Sequence, residues 1–285
     1  AGGAPGVGPG RERLAAPPPR ATRRRRRAMS EIDVTLADRV ATVTINRPGQ
    51  RNAMTLAMWR GMAALFGRLS ADPEVRAIIL TGAGEDFSTG ADIAEFGLVR
   101  GDAGQAEAYE VAVDACSAAI EAAAKPTLAA LRGYCLGGGN HLAMACDFRV
   151  ADPSARIGIP AARLSIVYGV RSTQRLLALV GLPAAKRLLF TAERIDAAEG
   201  LRLGFLDRVG PDALAEARRL AAAMADNAPL SIAGAKAILN GLAMGPGALD
   251  PALAEGLIAQ AADSHDYREG RAAFADKRKP AFRGC

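Results

Sequence analysis

From Ile32 to Asn46 the chain reads IDVTLADRVATVTIN, with β-branched residues alternating on either side of Asp38-Arg39. A period of two suits half-buried strands, so this stretch predicts a hairpin, ended by Pro48-Gly49. The period then lengthens. Leu56, Trp59, Met62, Ala63 and Phe66 recur at helical spacing over 55–69, with Thr55 as N-cap and Asp72-Pro73 as the stop. Residues 76–81 (RAIILT) form a short apolar run of buried-strand character, and Gly82-Ala83-Gly84 turns the chain after it.

A helical period runs over 105–124 and stops at Lys125-Pro126, because a residue before proline is pushed out of the helical region. Residues 127–132 predict a further buried strand, and 133–139 a loop feeding a small-residue helix to about Ala145. A strand is expected again at 148–151. Strand and helix alternate, which argues for an α/β core with largely parallel pairing. Beyond about Val209 the pattern predicts helices alone, over 212–226, 229–242, 250–263 and 265–276, each opened by a capping residue or proline. The expected organisation is a disordered Gly/Pro/Arg-rich extension over 1–29, an α/β core over 30–211 and a helical oligomerisation part over 212–285.

Half of the 285 residues are hydrophobic and 23% are charged, enough to bury a sizeable core. The net charge of +6 suggests a basic protein until its location is traced. Eight arginines against Glu12 put +7 into the first 28 residues, so the remainder totals −1. A nucleic-acid footprint needs basic residues over a folded face, and no aromatic platform accompanies Arg23 to Arg27, so no nucleic-acid partner is expected. The extension lacks the apolar stretch of a secretory signal, and its prolines oppose a transit-peptide helix; Met29 reads as an alternative start.

Cys116, Cys135, Cys146 and Cys285 contain no C-x-x-C pair, which points to a reducing, cytoplasmic setting. His141 and His265 match no zinc spacing, so no metal is expected. The uncharged stretch 133–146 is too short and glycine-rich to span a bilayer, so no membrane segment is expected.

Two loops each follow a buried strand and present main chain to a potential ligand: 87–93 (FSTGADI) and 133–142 (GYCLGGGNHL). Glycine lets N–H groups approach a ligand closely, and a helix starting at the triple glycine adds its positive dipole end. Either loop alone reads as an ordinary turn, and neither is a dinucleotide fingerprint or a Walker A sequence. Their joint arrangement is distinctive. Asn46-Arg47-Pro48, Arg51-Asn52-Ala53-Met54, the two loops, Ala145-Cys146-Asp147, Thr173-Gln174-Arg175-Leu176, Gly204-Phe205-Leu206-Asp207-Arg208-Val209 and the tail from Phe274 to Phe282 follow in order. Together they resemble the crotonase (enoyl-CoA hydratase/isomerase) superfamily, nearly throughout from Glu31 on.

That resemblance implies a spiral of ββα units followed by a helical trimerisation subdomain, assembled as a homotrimer or a dimer of trimers. It implies an acyl-CoA substrate, with no cofactor beyond the coenzyme A this carries. The family's oxyanion hole maps onto the N–H groups of Ala91 and Gly138, which would hold the thioester oxygen as it becomes an enolate. Coenzyme A contacts map onto Arg51, Ala53, Ala91, Asp92, Ile93 and Gly138. Phe274 and Lys277 match C-terminal positions that reach the nucleotide, often from a neighbouring subunit.

The pattern departs where hydratases of the family carry two glutamates. The first position is His141 and the second, after Pro160, is Ala161. His141 can serve as acid or base, or be a hydrogen-bonded helix residue in a pocket wall. Tyr168, where decarboxylases of the superfamily offer a tyrosine, is either a proton donor or a half-buried aromatic. Glu110 and Asp114, four apart on one helix face, read first as solvated surface and second as a displaced acid/base pair. The functions to be weighed are a hydratase or isomerase working through an enolate, a decarboxylase or hydrolase using His141 or Tyr168, and a non-catalytic acyl-CoA-binding protein.

Overall fold

The computed structural model describes residues 1–3, 31–245 and 247–285, so the expected extension lies outside the described residues except for its first three. A hairpin of β1 (Ile32–Ala37) and β2 (Val40–Ile45) leads to α1 (Leu56–Ala71) and β3 (Ala77–Gly82). Next come the short α2 (Phe96–Val99), the long α3 (Ala103–Glu121), β4 (Thr127–Leu131), β5 (Tyr134–Leu136), α4 (Gly138–Ala145) and β6 (Phe148–Ala151). Then follow β7 (Arg156–Gly158), α5 (Val170–Thr191), β8 (Arg194–Asp196), α6 (Ala197–Arg202) and β9 (Arg208–Val209). The C-terminal helices are α7 (Ala213–Ala225), α8 (Pro229–Ala243), α9 (Pro251–Ala262) and α10 (His265–Ala275).

The predicted hairpin turn forms with Asp38 at φ 50° and Arg39 at φ 62°. Two consecutive left-handed residues give the turn whose twist matches the flanking strands, with Ala37 paired to Val40. The main sheet runs β1-β2-β3-β4-β6-β9, antiparallel only between β1 and β2. A second sheet, β5-β7-β8, stands beside it.

The strands of the main sheet are apolar at successive positions because both faces are covered. Val43, Ile45, Ile78, Leu80, Ala129 and Leu131 join the cluster formed with α1 and α3. The alternate residues Val40, Ala77, Ile79, Leu128, Ala130 and Val150 pack against Ala213, Ala217 and Ala221 of α7. Helix α8 is tied to this core by Lys236, buried, whose Nζ lies 2.9 Å from Asp147 Oδ2 and donates to the Lys125 carbonyl at 3.1 Å.

Helix α1 buries Met58, Trp59, Met62, Phe66 and Leu69. The backbone N–H of Met58 donates to Thr55 Oγ1 at 3.2 Å, so the expected N-cap is in place. Thr55→Ala removes that acceptor and should cost about 1 kcal/mol, read as a lower denaturant midpoint with unchanged slope. No helix among the described residues is long and apolar enough to cross a membrane.

Candidate functional site

The C-terminal ends of β3 and β4 open into the two glycine loops, and buried side chains bolt those loops together. Asn52, fully buried at φ 57°, donates through Nδ2 to the carbonyls of Ala83 and Asp86 at 2.8 and 2.7 Å. Its Oδ1 accepts from Arg47 N at 3.0 Å. Ser88 Oγ donates to the Asn52 carbonyl at 2.8 Å and accepts from Gly90 N at 3.1 Å. The second loop is held by Asn140, whose Nδ2 donates to the Gly158 carbonyl at 2.6 Å. Direct strand-like bonds join the loops, Ser88 N to the Tyr134 carbonyl at 2.9 Å and Leu136 N to the Ser88 carbonyl at 3.0 Å.

This framework sets the direction of the Ala91 amide. Met54 N donates to the Gly90 carbonyl at 2.7 Å and Asp92 N donates to the Met54 carbonyl at 2.9 Å. In such a parallel bridge the intervening residue turns its own N–H to the opposite side. The Gly138 backbone lies close by. A β-carbon on Gly138 would stand 3.2 Å from Ala91 N, and one on Gly90 only 2.5 Å from Gly138 N. Gly90 has φ 91° and Gly137 φ 50°, so both bends use backbone that glycine adopts freely. Gly138 also opens α4, where the first N–H groups have no acceptor within the helix.

Trp59 of α1 lies next to this point, its Cζ2 3.0 Å from where a Gly138 β-carbon would be. Its indole N–H donates to the buried Tyr109 hydroxyl at 2.9 Å. Burial pushes the Tyr109 phenol up to about 12.

His141, one turn into α4, is buried among polar groups. Its Nε2 lies 2.7 Å from Ser172 Oγ, 3.1 Å from Ser117 Oγ and 3.5 Å from Asp114 Oδ1. Its Nδ1 is 3.1 Å from the same Ser172 hydroxyl. The Tyr168 ring lies 5.8 Å away, and its hydroxyl donates to the Gly137 carbonyl at 3.3 Å. Burial moves the Tyr168 phenol well above its ordinary value. Glu110 and Asp114 turn out to have separate partners. Glu110 pairs with Arg100 at 2.8 Å, whereas Asp114 leans on His141.

The His141 hydrogen bond, chiefly, holds the Asp114 carboxyl below its ordinary value, against an opposing desolvation. A carboxyl depressed by folding stabilises the native state above its unfolded value, near 3.9, and ceases to do so as pH falls through the lower folded value. In acid-unfolding titrations, Asp114→Asn should therefore be less stable than wild type above about pH 4, with the difference shrinking as pH falls further and vanishing below the lower folded value.

The other expected positions divide into two groups. Arg47 Nη1 donates to the Ala53 carbonyl at 2.7 Å and to Asp92 Oδ2 at 2.8 Å, so Ala53, Ala91, Asp92 and the exposed Ile93 share one rim. Arg51, beside them, stacks over the Tyr134 ring at 5.0 Å. Arg47 stood within the quoted motif, but nothing in its spacing marked it as the clamp of this rim. Phe274 and Lys277 lie elsewhere within the chain. Their segment continues to Phe282, whose carbonyl accepts from Arg76 Nη2 at 3.2 Å, at the N-terminal end of β3. The length of β3, about 20 Å for six residues, separates that end from the loops.

Residues 35–285 match the family model described as enoyl-CoA hydratase/isomerase. The short-chain-enoyl-CoA hydratase of Clostridium acetobutylicum is 37% identical over 247 residues, covering 85% of this chain and 93% of that protein. The (E)-benzylidenesuccinyl-CoA hydratase of Thauera aromatica is 34% identical over 271 residues, covering 89% and 99%. Among solved structures, an enoyl-CoA hydratase from Bacillus anthracis superposes with a TM-score of 0.81 at 32% identity, over 90% of this chain and all of that one.

Proposed function

Since this chain belongs to the enoyl-CoA hydratase/isomerase family and has its crotonase-like α/β fold, we propose that it forms and resolves the enolate of an acyl-CoA thioester. The thioester oxygen sits between the Ala91 and Gly138 amides. The close approach of these two backbone segments is the observation that carries this reading. Rigid donors aimed at a developing oxyanion contribute about 2.7–4 kcal/mol each to transition-state stabilisation.

The remaining groups fall into roles around that point. Arg51, Ala53, Asp92 and Ile93 line the path of the pantetheine and its phosphates. Phe274 and Lys277 of a neighbouring copy complete the nucleotide end, in a homotrimer or a dimer of trimers. The His141 centre, with Tyr168 beside it, carries the proton traffic.

A second reading, decarboxylation or hydrolysis, draws support from one observation: the position facing the second carboxylate role holds the buried, apolar Ala161. A site with one acid/base centre suits loss of carbon dioxide followed by protonation better than paired addition of water. Serine-nucleophile hydrolysis fits poorly. Ser172, the hydroxyl closest to the ring, is fully buried, whereas a nucleophilic serine must meet the substrate carbonyl.

Crotonyl-CoA hydration, followed as loss of the enoyl absorbance, tests the first reading, and a rate equal to buffer removes it. Malonyl-type thioesters analysed by mass spectrometry test the second, and absence of both carbon dioxide loss and free acid removes it. If both fail while a thioester still binds by calorimetry, the protein is a non-catalytic acyl-CoA binder. His141→Ala should abolish whichever turnover is found, and unchanged turnover reduces His141 to scaffold.

A further inference from the structure

We propose that the proton-accepting group of this site is Asp114 on α3 and that the buried His141 is its positioning residue, an inference that rests on the enolate reading above. Positions 141 and 161 carry no carboxylate. Asp114 supplies one from a different helix, while Glu110 on the same face is engaged by Arg100.

Exposure separates the two members of the pair. The His141 side chain is 6% exposed and that of Asp114 is 47% exposed, so the carboxylate, not the ring, meets an acyl group entering from solvent. The hydrogen-bond pattern assigns the ring proton. The Ser117 hydroxyl donates back to the Asp114 main-chain carbonyl at 3.1 Å, so toward His141 Nε2 it presents a lone pair. Asp114 Oδ1, beside the same nitrogen, is an acceptor only. Both neighbours place the proton on Nε2. The fully buried Ser172 hydroxyl reaches both ring nitrogens, 2.7 Å from Nε2 and 3.1 Å from Nδ1, and with the proton on Nε2 it serves the Nδ1 lone pair as donor. The imidazole therefore turns its basic nitrogen into protein and its N–H toward the carboxylate, keeping Asp114 ionised and oriented.

The step balances without any further reactant. One Asp114 oxygen takes a proton from the thioester α-carbon, the C–H electron pair becomes the bond between that carbon and the carbonyl carbon, and the carbonyl π pair moves onto the oxygen held by the Ala91 and Gly138 amides. Return of the proton to carbon regenerates the carboxylate.

Butyryl-CoA in heavy water isolates this step, because enolisation exchanges its α-protons with no net reaction. Wild type should exchange them. Asp114→Asn should slow the exchange about 100-fold with butyryl-CoA affinity unchanged by calorimetry, and Asp114→Glu should recover part of the rate. His141→Gln, which keeps an N–H donor and cannot titrate, should exchange faster than Asp114→Asn. If Asp114→Asn stays within about threefold of wild type, the assignment to Asp114 is overturned. If His141→Gln is silent while Asp114→Asn remains active, the proton belongs to the imidazole and the proposal falls. A wild type that binds butyryl-CoA and exchanges nothing defeats the enolate reading itself, and this proposal with it.

A readout free of turnover tests the positioning role. The chain has two histidines, so nitrogen NMR of a His265→Gln variant reports His141 alone. A neutral ring protonated on Nε2 is expected, with that signal moved by Asp114→Asn. A ring protonated on Nδ1 overturns the role.

Discussion

Gly138→Ala should lower turnover about 100- to 1000-fold while the protein still folds. Gly138 lies within α4 at ordinary helical geometry, so alanine meets no backbone conflict there. Its methyl would stand 3.2 Å from Ala91 N and 3.0 Å from Trp59 Cζ2, and so crowd the space between the two amides where the proposed thioester oxygen would bind. The neighbouring glycine offers a poorer test. A β-carbon on Gly139 would fall 2.3 Å from the Ser88 carbonyl oxygen and force the two loops apart. Turnover measured beside thermal unfolding checks the prediction, and a Gly138→Ala rate within about threefold of wild type would contradict the oxyanion hole.

Arg149→Met should produce the largest loss of stability, about 3 kcal/mol, seen as a fall in Tm of roughly 6–12 °C. Arg149 is 3% exposed on β6. Its Nε donates to the Phe205 carbonyl at 2.8 Å, and its Nη1 to the Cys146 carbonyl at 2.8 Å and the Ala143 carbonyl at 3.5 Å. Its Nη2 reaches the Asp147 carbonyl at 3.2 Å and Asp207 Oδ2 at 3.0 Å. These carbonyls include the C-terminal end of α4, where a cation also meets the negative end of the helix dipole. Methionine matches the length but leaves the acceptors buried without a donor. Because α4 carries Gly138 and His141, turnover should fall with stability. A change below about 1 kcal/mol in denaturant melts would show that water replaces the guanidinium without cost.

Much of the fold was legible because long elements announce themselves. The hairpin, α1, β3, β4, β6 and the C-terminal helices lie within a few residues of their expected bounds. Strands β5, β7, β8 and β9 did not show, since two or three residues are too few to display a period. Helix α5 went unassigned because Gly181, at φ 71°, and Pro183 interrupt its pattern, and the structure bends there. Asp114 read first as solvated surface, and only packing placed it against His141.

What the amino-acid order determined by itself was the identity of each local element and the order of its motifs. Alternation, helical period, caps and glycines act over neighbouring residues, so they are written along the chain. The order of the motifs already suggested that Ala91 meets Gly138; tertiary structure alone decided that Asp114 and Ser172 meet His141, and Arg149 the end of α4. Those pairings depend on how helices and sheets stack, and stacking is settled by the burial of whole faces, which no short stretch of sequence contains.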